Sequence, residues 1–142
     1  MLSFLRRFIN QRGDITGVSV AVTVLILSVL AYFYVDLSGM WNTHRKLAIA
    51  GDEALKVMQA EGGFDSSTRQ LFMEMARAQG LDTSLITVTG TPKRVQRWGR
   101  VEIEASMQYT LQAFKPVGYG EITVTIPMSS YGIVSTYFRE GS

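Results

Sequence analysis

The chain has 142 residues, 46% of them hydrophobic and 18% charged, with a formal net charge of +2 and no cysteine. Disulfides and thiol chemistry are therefore excluded, and an exported domain of this sequence has to stand on its core alone. The positive excess lies in the first stretch, where Arg6, Arg7 and Arg12 face Asp14 alone; the rest is balanced, so a pI near 9.0 is no argument for nucleic acid.

Residues 1–14 read as a basic cytoplasmic leader. From Ile15 to Val35 the chain then runs 21 residues without a charge. About 20 apolar residues at roughly 1.5 Å each match a hydrocarbon layer roughly 30 Å thick, whereas a secretory h-region has only about 7 to 15. The far end reads Tyr32, Phe33, Tyr34, Val35, Asp36, Leu37, aromatics that suit a membrane–water interface and offer no small-residue cleavage site. Residues 15–36 are expected to form a transmembrane helix. The arginines before it orient the N-terminus to the cytoplasm and everything after Asp36 to the outside.

Residues 37–61 continue as an amphipathic helical stem. Leu37, Trp41, His44, Ala48, Gly51, Leu55 and Met58 recur at spacings of four and three, and Met40, Leu47 and Ala54 widen the seam. Asn42, Arg45, Lys46, Asp52, Glu53, Lys56 and Gln59 fall opposite, with Asp52 and Lys56 spaced as an (i, i+4) ion pair. If span and stem are one helix from Ile15 to Glu61, the rod is roughly 70 Å long. Gly62-Gly63 ends it.

Residues 62–142 form the head, and the 107 residues from Asp36 to Ser142 suffice for one small domain. Asp65-Ser66-Ser67 announces a second helix, with Ser67 and Gln70 at capping-box spacing and Leu71, Phe72, Met75, Ala76 and Ala78 on one side. Gly80-Leu81 supplies a left-handed C-terminal cap. The period then changes to two. Val101, Ile103, Ala105, Met107, Tyr109 and Leu111 alternate with Glu102, Glu104, Ser106, Gln108 and Thr110, and Ile122, Val124 and Ile126 are expected to point inward in the next strand. Residues 84–89 and 131–138 are further strand candidates, separated from their neighbours by Gly90-Thr91-Pro92 and Ser129-Ser130. The expected fold is α+β: a long N-terminal helix, a short second helix and an antiparallel sheet of three or four strands.

No catalytic, cofactor-binding or metal residue is predicted. His44 is the single histidine, no acidic group has ligand spacing, and the glycines mark turns rather than a phosphate loop. His44 lies on the seam and reads as a packed, hydrogen-bonded residue. Glu102 and Glu104 read as a solvated strand face. Lys93, Arg94, Arg97 and Arg100 surround Trp98, a combination of cations and a stacking ring found in single-strand binding. The plainer reading is a solvated hairpin loop whose long side chains cover apolar surface, and the same segment could meet acidic groups of a neighbouring subunit.

The stem carries more apolar surface than one small sheet needs, so part of it should meet other chains. Gly17, Ala21, Ser28 and Ala31 in the span, and Ala48, Ala50, Gly51 and Ala54 in the stem, let helices approach closely where lipid offers no hydrophobic drive. Trp41 and Leu55 are the large apolar members of this assembly surface.

A basic leader ending in Arg12-Gly13-Asp14, a hydrophobic helix that runs on as an amphipathic one, and a small antiparallel sheet resemble type IV pilin-like proteins. From His44 to Leu81 the chain looks like the pseudopilin-like subunits of tight-adherence (Tad) systems and their relatives in Firmicutes, whose heads begin with a helix, Gly-Gly, a short helix and Gly-Leu-Asp. The resemblance implies cleavage by a prepilin peptidase after Gly13, leaving Asp14 as the first residue; the family's glutamate at the fifth mature position falls here on Val18. It also implies a non-enzymatic structural subunit of a pilus-like filament or its membrane platform. Such a subunit forms homo-oligomers or joins other pilins in the membrane, served indirectly by an assembly ATPase and platform proteins, with no cofactor. Two other readings stand beside it: a non-polymerising tethered accessory protein of a secretion or conjugation machine, and a stalked module binding DNA or another ligand.

Overall fold

The computed structural model of the chain describes residues 14–113, 118 and 120–136, with side chains from residue 17 onward. Gly13 lies outside them, as do residues 137 and 138 of the last strand candidate. A single helix, α1 (Asp14–Glu61), takes up 48 residues and is about 72 Å long at 1.5 Å per residue. Its two halves differ in what covers them. Every residue from 17 to 35 is exposed, while from Asp36 onward a buried stripe runs through Thr43, Leu47, Ala50, Gly51, Ala54, Leu55 and Met58.

That stripe corrects the lower part of the predicted seam. Leu37, Trp41 and His44 share a helical face, but Leu37 is 68% exposed, Trp41 75%, and His44 also lies open. The face that meets the sheet is turned by one residue, through Asp36 and Thr43, and the two stripes merge only from Gly51. Helical spacing identifies a stripe that can be buried; the partner decides which of two adjacent stripes is. Here Tyr109 lies so close to Gly39 that an added Cβ would fall on its hydroxyl, and this contact turns the Asp36–Thr43 side inward.

Gly62 (φ 74°) ends α1, its amide and that of Gly63 both donating to the Met58 carbonyl at 2.8 and 3.0 Å. The second helix, α2 (Ser66–Ala78), is capped by Asp65, whose carboxylate accepts from the Thr68 amide at 2.9 Å and from the Ser67 hydroxyl at 2.6 Å. Ser67 is thus a donor to the cap rather than the cap itself, and Gln70 bonds Glu74 instead of closing a box. Thr68, Phe72 and Ala76, four apart, form its buried face; Met75 and Ala78 are exposed. At its end Gly80 takes φ 76°, the Leu81 amide donates to Ala76, and Leu81 is buried, as expected of a left-handed cap with its hydrophobic contact.

A turn of 3-10 helix (Thr83–Leu85) leads into the sheet. Three antiparallel strands follow in the order β1 (Ile86–Gly90), β2 (Arg100–Thr110), β3 (Thr123–Ile133). Ser129-Ser130 is not a turn: both residues sit inside β3, opposite Glu104 and Ile103. Two small polar residues break a strand in isolation, but here the alternating partner β2 is long enough to carry the pairing through. On the inner face Ile86, Val88, Val101, Ile103, Ala105, Met107, Ile126 and Met128 are buried, whereas Val124 is half-buried and Ile122 is 39% exposed. Pro127 is tolerated because β3 is an edge strand.

The sheet lays this face on the outer half of α1. Leu47, Ala54, Met58, Phe72, Val88, Val101 and Ile103 form one core with α2 closing its side. Polar contacts fasten β3 along the helix: the Ser130 hydroxyl donates to Asp52 at 3.1 Å, the Ser135 amide to the Gln59 carbonyl at 3.0 Å, and the Thr136 hydroxyl to the Ala60 carbonyl at 2.5 Å. Lys56 therefore pairs with Glu53, at 2.7 Å, instead of with Asp52.

Candidate functional site

The first surface with a claim to function is the half of α1 that the head does not reach. Gly17, Ala21, Ser28 and Ala31 all lie there, exposed among Val18, Val22, Leu25, Leu27, Val29, Leu30 and Phe33. Two of its hydroxyls are satisfied within the helix: Thr23 and Ser28 donate to the carbonyls four residues back, Ser19 and Val24, each at 2.8 Å. A hydroxyl paired in this way is compatible with hydrocarbon around it.

Of the remaining residues expected to serve assembly, Trp41 is exposed, Ala48 is half-buried against the core, and Ala50, Gly51, Ala54 and Leu55 are buried in it. Gly51 is small for an internal reason, because a Cβ there would meet the end of the Met128 side chain. The structure thus brings the four span residues to one uncovered rod and puts Gly51 and Leu55 inside the head.

At the foot of the head the arrangement turns on a residue that was read only as the end of the span. Asp36 is 3% exposed, and its two carboxylate oxygens accept from the backbone amides of Gln112, at 2.9 Å, and Ala113, at 2.7 Å. The residue that ends the apolar run thereby holds the end of β2. Burial, together with the negative charge of Asp36, raises the pKa of the adjacent Tyr109 phenol. A lone acid at the end of an apolar run, with no cation one turn away, was the available signal. Its partners are main-chain groups 76 and 77 residues downstream, which no local spacing reveals.

Beside this tether an apolar groove of about 630 Å³ opens between α1 and the free edge of β3. Leu37, Met40, Trp41, His44, Ile126 and Pro127 line it. A second groove of about 600 Å³ shares His44 and Pro127 and is mixed in character, with Thr87, Glu104, Ser106 and Ser129 beside Ala105 and Met128. His44 is therefore a rim residue of two grooves rather than a packed one.

The basic segment between β1 and β2 is largely spent on the fold. Lys93 bridges Glu61 at 2.9 Å and Asp65 at 2.5 Å, which raises its own pKa and, with the Ser67 and Thr68 bonds, holds the Asp65 carboxyl well below the usual carboxylate range. Arg94 (φ 83°) and Trp98 (φ 70°) take left-handed backbone conformations. The Trp98 and Val95 amides tie the loop down to the carbonyls of Val134 and Gly62, both at 3.0 Å. Arg97 stacks on the Trp98 ring with its centroid at 4.9 Å, and Arg100 on Tyr131 at 4.5 Å. Trp98 remains 72% exposed. Among the described residues no group of three or more His, Asp or Glu side chains is placed to hold a metal ion.

No curated protein and no solved structure is similar enough to match this chain. Residues 24–139 match a family model described as a domain of unknown function, DUF4320, which covers the second half of the apolar run, the stem and the head together. The chain belongs to that family of still unassigned function.

Proposed function

We propose that this protein is a structural subunit of a type IV pilus-like filament or of its membrane assembly platform. In this reading it is anchored by a single span with its N-terminus in the cytoplasm and its head outside. The observation that carries the reading is the division of α1. One continuous helix serves as membrane segment and as the spine of the head, and the head leaves residues 17–35 wholly uncovered. A plain anchor needs only a span and a linker. A rigid rod, stiff across the membrane boundary and lined below it with Gly17, Ala21, Ser28 and Ala31, is suited to bundling with copies of itself or with other pilin-like chains.

Assembly with the native partners tests this reading. Ala21→Leu and Ala31→Leu keep the span apolar enough to insert but hinder close approach of helices. Both should abolish filament or platform formation while membrane fractionation and protease resistance of the head stay unchanged. Full assembly with leucine at both sites would mean that these faces point to lipid and that the span is a simple anchor, whereas no assembly even from the unaltered chain with its native partners would leave a tethered accessory protein.

A further inference from the structure

We infer that the foot of the head is seated in the lipid headgroup layer, and that the apolar groove beside Trp41 takes the glycerol-proximal part of a phospholipid of the adjacent leaflet. This rests on the membrane-anchored part of the reading above and not on polymerisation.

The height of the foot follows from one residue. Asp36 comes directly after the uncharged run, and its carboxylate holds the amides of Gln112 and Ala113. The end of β2 is thereby kept within about one helical turn of the hydrocarbon boundary. The headgroup region adds roughly 5 to 8 Å on each side of the hydrocarbon. Leu37 and Trp41 stand about 3 and 9 Å above Val35 at 1.5 Å per residue, and side chains on a helix lean toward its N-terminus, which here means toward the membrane. The Trp41 indole thus falls at the level where tryptophan is enriched.

Chemistry agrees with position. The head folds without covering Leu37 or Trp41, 68% and 75% exposed, and the groove they share with Ile126 and Pro127 is continuous with the apolar surface of the span below. Immediately above it, one turn beyond Trp41, comes Arg45, while Lys46 is turned toward Gly80 at the end of α2; α1 has no acidic residue between Asp36 and Asp52. An apolar slot with the Arg45 cation on its upper side matches an acyl chain below a phosphate. A second copy laid in register on this face would instead set like charges against each other.

The chain has two tryptophans, so Trp98→Phe leaves Trp41 as the only reporter at the foot and Trp41→Phe leaves Trp98 on the head. Each full-length variant is reconstituted in phosphatidylcholine–phosphatidylglycerol vesicles with and without lipid brominated near the glycerol end of its chains. Trp41 emission should fall about twofold or more with brominated lipid and resist acrylamide, as expected at the interfacial depth of an aromatic belt; Trp98 should show the reverse. Quenching of Trp41 by acrylamide alone would overturn the proposal by putting the foot in water. A Trp41 shielded from both quenchers would overturn it in favour of a second chain in the groove. Alkaline extraction of the same vesicles distinguishes the two levels of inference: protein that stays in the pellet with Trp41 unquenched defeats only the lipid site, whereas protein that washes off defeats the anchor itself.

Discussion

The Asp36 carboxylate and the Ala113 amide, 77 residues apart in sequence, lie 2.7 Å from each other at the boundary between the exposed and the covered halves of the long helix. Asp36 offers one oxygen to each of two main-chain donors. Asp36→Ala leaves both donors in a buried site without that acceptor, at a cost on the order of 1 to 3 kcal/mol for each. Asp36→Asn retains one acceptor oxygen and should lose roughly half as much. Urea unfolding of the detergent-solubilised full chain measures both. Equal stability of all three proteins would show that the tether contributes nothing to the head.

Ile103 and Glu102 are neighbours on β2 with opposite surroundings. Ile103 is fully buried between α1 and the sheet, and Glu102 is half-exposed beside Arg100 at 3.8 Å. Ile103→Ala should cost about 2 to 5 kcal/mol through lost burial and the cavity left behind. Glu102→Ala should stay within about 0.5 kcal/mol, as usual for exposed ion pairs. The same unfolding assay gives both values, and similar losses would mean that the faces of β2 are reversed.

This pair also shows what could be read in advance. β2 was legible because six apolar and five polar residues alternate without a fault, and alternation in a half-buried strand has one physical cause. β3 was not legible as one strand, because Ser129-Ser130 resembles a break unless the eleven-residue partner opposite is known. The length of α1 and its Gly62-Gly63 stop followed from local chemistry. Which stripe of its lower stem is buried did not, since Leu37–Trp41–His44 and Asp36–Thr43–Leu47 both recur at helical spacing and only the sheet chooses between them. The span residues Gly17, Ala21, Ser28 and Ala31 were singled out from size and spacing alone, and the structure leaves them exposed. Gly51 was singled out on the same grounds although its smallness serves Met128 within the chain.

Asp65 makes the head sensitive to acid. Its carboxyl is held below its ordinary value near 3.8 by Lys93 first, then by Ser67 and the Thr68 amide. A carboxyl whose pKa is lowered by folding contributes stability that is complete above that ordinary value and is lost as pH falls below it. Melting temperature should therefore drop as the pH is taken from about 5 toward 2, and Asp65→Asn should flatten this part of the curve. Lys93, raised above 10.5 by Asp65 and Glu61, acts at the other end: its contribution persists through neutral pH and fades only above that value. Lys93→Ala should lower the plateau between and also reduce the acid drop. An unchanged acid limb in both variants would place the titrating group elsewhere.

Two glycines in the head respond oppositely to the same substitution. At Gly51, inside α1, a Cβ would meet the terminal carbon of Met128, the far end of a flexible side chain that can swing aside. Alanine there also favours the helix by roughly 0.8 to 1 kcal/mol over glycine, so Gly51→Ala should be close to neutral. At Gly63 the obstacle is backbone. Its φ is 145°, and a Cβ would lie 2.5 Å from the Lys93 Cα and 2.6 Å from the Pro92 carbonyl oxygen. Neither a side-chain rotation nor a helical gain is available there, and the backbone conformation alone costs on the order of 1 to 3 kcal/mol for a residue with a Cβ. Gly63→Ala must also push the 92–93 segment away from the end of α1, loosening the hold of Lys93 on Glu61 and Asp65. It should therefore lower the urea midpoint sharply and remove most of the acid dependence assigned to Asp65, while Gly51→Ala changes neither. If Gly63→Ala unfolds at the wild-type midpoint, the approach of the 92–93 segment to the helix end is looser than the contact requires, and the Lys93 bridge cannot be the clasp that joins that loop to the stem.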